Sequence, residues 1–157
     1  MTAPLQVLVV EDLEDRWRAL AVFVTRARTG VRRAATAASA IAELECGAYD
    51  VICLDYDLDQ DGALDAAVTG HGGRVASWMA RPENNQRWRL HRGSLPLVII
   101  HSKNGPGATS MLITLMSAGY EVAWIPAPLG ANCDQQFRLI GSIIAARAAV
   151  GDAPHAT

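Results

Sequence analysis

The chain has 157 residues, half of them apolar, with 14 Lys+Arg against 16 Asp+Glu for a formal charge of −2. That length suits one domain with a sizeable core, residues 1–150, followed by a loose tail at 151–157. The near-neutral balance excludes DNA or RNA binding by bulk charge, which needs a strongly basic face. No apolar stretch approaches the roughly 20 residues that span a bilayer, and Met1–Pro4 is not expected to open a signal peptide. The three cysteines, Cys46, Cys53 and Cys133, lack the close pairs of a zinc or redox motif and suit a reducing compartment, so a cytoplasmic protein without a membrane partner is expected. Thirteen of the fourteen basic residues are arginine, and the only lysine is Lys103.

In chain order, residues 5–10 (LQVLVV) read as a buried strand that ends at Glu11 and Asp12. Helical spacing follows at Leu13, Trp17, Leu20 and Val24, with Asp12 as candidate N-cap and Gly30 as the stop. A weak strand at 31–35 precedes a helix over Ala37–Leu44, closed by Gly47. Residues 49–54 (YDVICL) form a third strand that runs into Asp55, Asp57, Asp59 and Asp61. After the turn TGHGG, a short helix from Arg74 turns Val75, Trp78 and Met79 inward and stops at Pro82. Segment 83–94, with Arg87, Arg89, His91 and Arg92, shows no clear period and reads as a loop. The fourth strand, 95–101, ends at His101. A helix from about Thr109 carries Met111, Leu112, Leu115 and Met116 inward, the fifth strand is 120–125, and a last helix presents Phe137, Ile140 and Ile144.

Five alternations of strand and helix, with strands apolar on both faces, predict an α/β doubly wound parallel sheet. Ligands of such sheets bind beyond the carboxyl ends of the strands. That rim would gather Glu11, Asp12, Asp55, Asp57, His101, Ser102 and Lys103. Converging carboxylates repel one another and need a cation, and their oxygens suit a hard divalent ion, Mg²⁺ or alternatively Mn²⁺, held by Glu11, Asp12 and Asp55. Asp59 and Asp61 read as a solvated acidic turn. In His101–Gly107 (HSKNGPG) the glycines Gly105 and Gly107 free backbone amides, a helix N-terminus follows, and Ser102, Lys103 and Asn104 add donors, which together describe an anion site. His101 is the group whose ordinary pKa suits proton transfer near neutrality. Ser102 lacks the G-x-S-x-G setting of a hydrolase nucleophile.

VLVVEDLEDR and DVICLDYDL resemble the receiver domain of response regulators over roughly residues 5–148, in which the first acids hold Mg²⁺ and the strand-three aspartate accepts phosphate. The receiver's Lys-Pro step after strand five is here Ala127-Pro128. The acidic pair with Arg16, LDYDL at 54–58, Gly73 with Trp78, HSKN at 101–104, and Met111 are similar to a divergent branch, the cyclic-phosphate processing receiver domains. Tyr56 stands where that pattern has histidine. The resemblance implies strand order 2-1-3-4-5 and a nucleotide or RNA-derived cyclic phosphate as substrate. The expected activity is hydrolysis of that ester, with catalytic His101, Asp55 and Asp57, and with phosphate held by Ser102, Lys103, Asn104, Gly105 and Gly107. The alternatives are a stand-alone receiver that signals by phosphorylation or through a protein partner at 108–128, and a cyclic-nucleotide binder without turnover.

Overall fold

The computed structural model describes residues 4–27, 29–58, 71–127 and 133–151. Strand β1 (Leu5–Val10) is followed by α1 (Glu14–Val24), β2 (Thr29–Ala34), α2 (Ala37–Cys46) and β3 (Val51–Leu54). Then come α3 (Gly72–Met79), α4 (Pro82–Arg92), β4 (Leu97–Ile100), α5 (Gly105–Ser117), β5 (Val122–Trp124) and α6 (Asp134–Gly151). The sheet is parallel throughout in the order β2-β1-β3-β4-β5, the order that the family resemblance implied.

Alternation along the strands divides the core in two. Leu8, Val10, Ile52, Leu54, Val98 and Ile100 pack under α2, α3 and α5, whereas Val7, Val9, Val51, Cys53, Leu97 and Ile99 pack under α1 and α6. Residues on successive positions of a strand face opposite sides, so runs such as LVII are apolar throughout because both sides are covered. Cys53 lies in the second core and burial pushes its thiol up to about 12, which makes it an inert packing group.

The structure corrects several expectations. Leu13, not Asp12, stands at the N-cap of α1, with no side-chain cap, and it is 40% exposed because it precedes the first turn. Gly30 lies inside β2 opposite Gln6, and α1 instead ends through a 3₁₀ turn at Thr25–Ala27. Helix α3 begins at Gly72, and α5 at Gly105 with Pro106 in its first turn, a position that proline tolerates because the missing N–H is unpaired there anyway. Met116 is 58% exposed rather than inward.

The largest correction is 83–94, which is mostly helix. Pro82, read as a stop for the helix before it, also starts α4. This helix buries chiefly Trp88, so one aromatic does the packing that a periodic apolar stripe does elsewhere. Arg87 donates inward to the Leu44 carbonyl and its guanidinium lies over Trp78. Asp59, Asp61, Pro128 and the tail from 152 lie outside the described residues. Among the described residues, no helix is long and apolar enough to cross a membrane.

Candidate functional site

Register builds the site. Val10 pairs with Leu54 and Leu54 with Ile100, so the next residues, Glu11, Asp55 and His101, stand level on three adjacent strands. The ladder continues one step past each strand: Asp55 N–H donates to the Val10 carbonyl (3.1 Å) and His101 N–H to the Leu54 carbonyl (3.1 Å). These residues share the parity of Val9, Cys53 and Ile99, which aims them toward α1 and α6. All three are buried.

Arg16, in the first turns of α1, meets them. Its Nε lies 3.3 Å from Glu11 Oε2, its Nη1 3.2 Å from Asp55 Oδ2, and its Nη2 donates to the His101 carbonyl at 3.1 Å. Gln136 of α6 donates to the same carbonyl (3.2 Å) and to that of Ile125 (2.8 Å). Arg33 of β2 holds the acidic loop by its backbone, with Nε to the Glu11 carbonyl (3.1 Å) and Nη2 to the Asp12 carbonyl (2.9 Å), and it also pairs with Glu14. Two arginines therefore fix the β1–α1 loop, one by side chains and one by main chain.

Burial dominates the electrostatics. Desolvation pushes Glu11 up to about 8, with Asp55 adding to the rise and Arg16 opposing it. Burial also raises Asp55, against Arg16, the Ser102 hydroxyl and the amides of Tyr56 and Asp57, which favour its charged form. Asp12, half-buried, is raised by desolvation and by the Asp55 charge. His101 is driven down to about 3, by burial first and by Arg16 second, so the imidazole is neutral. Its Nδ1 lies 3.7 Å from Glu11 Oε2, and neither ring nitrogen has a hydrogen-bond partner among the described residues.

The second side of the rim is the β4–α5 loop. Asn104 is the N-cap of α5, its Oδ1 accepting from Gly107 N–H (2.9 Å), while its Nδ2 donates to Asp57 Oδ1 (3.2 Å) and its N–H donates to Ser102 Oγ (3.1 Å). One capping side chain thus joins the phosphate-loop candidates to the carboxylate that follows β3. Asp57 and Lys103 are exposed, and Ser102 is buried. Tyr56 lies against Gly107, where a Cβ would come within 2.5 Å of its ring, and stacks on His71 with centroids 4.5 Å apart. Gly72 is equally constrained, since a Cβ there would lie 1.9 Å from the Asp55 carbonyl oxygen.

A family model described as the cyclic-phosphate processing receiver domain matches residues 7–117. The chain belongs to that family. No curated protein matches this receiver domain as a relative. Among solved structures it is similar to the signal receiver domain of a putative Luxo repressor protein from Vibrio parahaemolyticus, with a TM-score of 0.62 and 19% identity over 95% of each chain. It is likewise similar to the phosphorylated cyanobacterial phytochrome response regulator RcpA, with a TM-score of 0.64 and 16% identity over 90% of this chain and 91% of that one. The Mn²⁺-bound form of response regulator Rcp1 gives a TM-score of 0.61 at 15% identity, over 89% and 91%. These likenesses establish the receiver fold.

Receivers imply a divalent ion, and the donors here fit one. Ligand atoms of Glu11, Asp55 and His101 lie within 4.8 Å of one another, and Glu11 Oε2 and His101 Nδ1 both lack a hydrogen bond. Two carboxylate oxygens suit Mg²⁺ or Mn²⁺. Of the ligands expected from sequence, Glu11 and Asp55 belong to this cluster and Asp12 stands beside it, with His101 in the third place.

Sequence reasoning named Arg16 only as part of a motif and missed Arg33 and Gln136. Arg16, Leu20 and Val24 share one stripe at four-residue spacing, and the latter two are buried. A charge in line with a core stripe is the signal that a buried acid awaits it.

Proposed function

We propose that this receiver domain hydrolyses cyclic phosphate esters of nucleotides or RNA-derived metabolites at the rim where β1, β3 and β4 end. The observation that carries the reading is Asn104, which caps α5 and bonds Asp57, so that the α5 N-terminal amides and the acidic residue that follows β3 are held as one unit. An anion is favoured at that helix end and an ionisable oxygen stands beside it. In the reaction a water oxygen bonds to phosphorus as one ring P–O bond breaks, and a water proton ends on the released oxygen, giving a phosphomonoester.

Ser102, Lys103, Asn104 and the amides of Gly105 and Gly107 hold the non-reacting oxygens. Exposed Asp57 takes the water proton at its free carboxylate oxygen. Asp55 and Glu11, with Asp12 beside them, would hold a divalent ion, which when bound supplies charge neutralisation and Lewis-acid polarisation of phosphate. His101, expected as the proton-transfer group, serves this reading differently. Buried and neutral, it backs Glu11 from within the core, 3.7 Å from the Glu11 carboxyl.

The test is phosphorus NMR of a panel of cyclic phosphates with the full chain and Mg²⁺ or Mn²⁺. Ring opening that is lost in Asp55→Asn and Asp57→Asn is the expected result. A second reading, phosphotransfer signalling, draws on the placement of Asp55 at the end of β3. No turnover together with an acid-labile phosphoprotein from acetyl phosphate replaces hydrolysis by that reading, and tight binding with neither outcome replaces both by sequestration.

A further inference from the structure

Resting on the metal site of that reading, we propose that Arg16 is an internal counter-ion that competes with the divalent ion for Glu11 and Asp55, so that metal enters only as the guanidinium leaves. Glu11 Oε2 and Asp55 Oδ2, the oxygens a metal would need, are those Arg16 faces, at 3.3 and 3.2 Å. A bound ion sits at about 2.0–2.6 Å from such oxygens, which would leave two cations sharing two acceptors in a desolvated space. Arg16 is not loosely placed, since its side chain is only 13% exposed and its third arm is tied to the His101 carbonyl. The contact with Glu11 is an ion pair without hydrogen-bond alignment, for both Arg16 Nε and Glu11 Oε2 lack a hydrogen-bond partner among the described residues. The arm toward Glu11 is therefore the one that yields first.

The consequence is a metal site whose affinity is set by a resident side chain, giving a protein that is folded and charge-compensated without metal. Manganese binding measured by the EPR signal of free Mn²⁺ tests this independently of turnover, so inactive but metal-binding protein would count against the hydrolase reading alone. Arg16→Gln is expected to bind Mn²⁺ about tenfold or more tightly than the unmodified chain, a coupling of ordinary size for two ligands that exclude each other. Equal or weaker binding in Arg16→Gln, or no Mn²⁺ binding in either protein, overturns the proposal. Should Arg16→Gln not fold, the unmodified chain still decides: the Arg16 Nε–H resonance in ¹⁵N-labelled protein is expected to move on saturation with Mg²⁺, and a resonance that stays put overturns it.

Discussion

The two sides of the rim are built on opposite principles. The acidic side, at the ends of β1 and β3, is buried and braced: Glu11 and Asp55 face Arg16, and Arg33 grips the backbone of the same loop. The β4–α5 side leaves Lys103 and Asp57 exposed and is joined to β3 through the 3.2 Å bond from Asn104 to Asp57. A braced side can hold charge that water would otherwise disperse, and an open side can meet a ligand arriving from solvent. On the proposed function, the difference separates residues whose loss is expected to unfold the site from residues whose loss is expected only to weaken binding.

Arg16→Ala strikes the braced side hardest. Removing the guanidinium leaves the buried Asp55 without its counter-ion, and a loss of about 3–5 kcal/mol is expected in urea denaturation. An unchanged midpoint would show that the acids are compensated some other way. Next, the braced side should dominate the pH profile of stability. Glu11 lies at about 8 against 4.5 in the unfolded chain, so the folded state keeps a proton that the unfolded state releases, and stability falls as pH rises from about 4.5 to 8. His101 lies at about 3 against 6.5, so the unfolded chain binds a proton that the folded state refuses, and stability falls as pH drops from about 6.5 to 3. Denaturation across pH should therefore give a maximum between about 4.5 and 6.5, and Glu11→Gln should flatten the alkaline flank alone.

Asn104→Ala tests the link between the sides. It removes the α5 cap and the Asp57 tie, for a loss of about 1 kcal/mol in the melting curve, together with weaker cyclic-phosphate binding. The smallest stability effect belongs to Lys103→Ala, within about 0.5 kcal/mol of the unmodified chain, with weakened phosphate binding by calorimetry as its only expected signature. A large stability loss there would erase the distinction between the sides.

The same contrast explains what could be read from the sequence. Strands β1, β3 and β4 announce themselves as short apolar runs, and the polar residues that end them, Glu11, Asp55 and His101, locate the rim before any coordinate is known. Helix α4 stays hidden because Trp88 alone does most of its packing, and α5 starts four residues early because Pro106 suits a first turn. What one sequence could not carry is how deep the rim residues lie. His101 looks like an accessible acid and base, yet the register sets it level with Glu11 and Asp55 in a core that keeps it neutral. Arg33 acts through carbonyl groups of residues 11 and 12, and a side chain bonding to main chain leaves no complementary residue type to notice.

The packing of Tyr56 on Gly107 has a consequence for how this chain can drift. A side chain at 107 would collide with the ring, and a smaller ring at 56 would open space against both Gly107 and His71. Positions 56, 71 and 107 therefore form an epistatic set. Placing histidine at 56 is therefore not a neutral change, and substitution at any one of the three positions is expected to require compensating changes at the others.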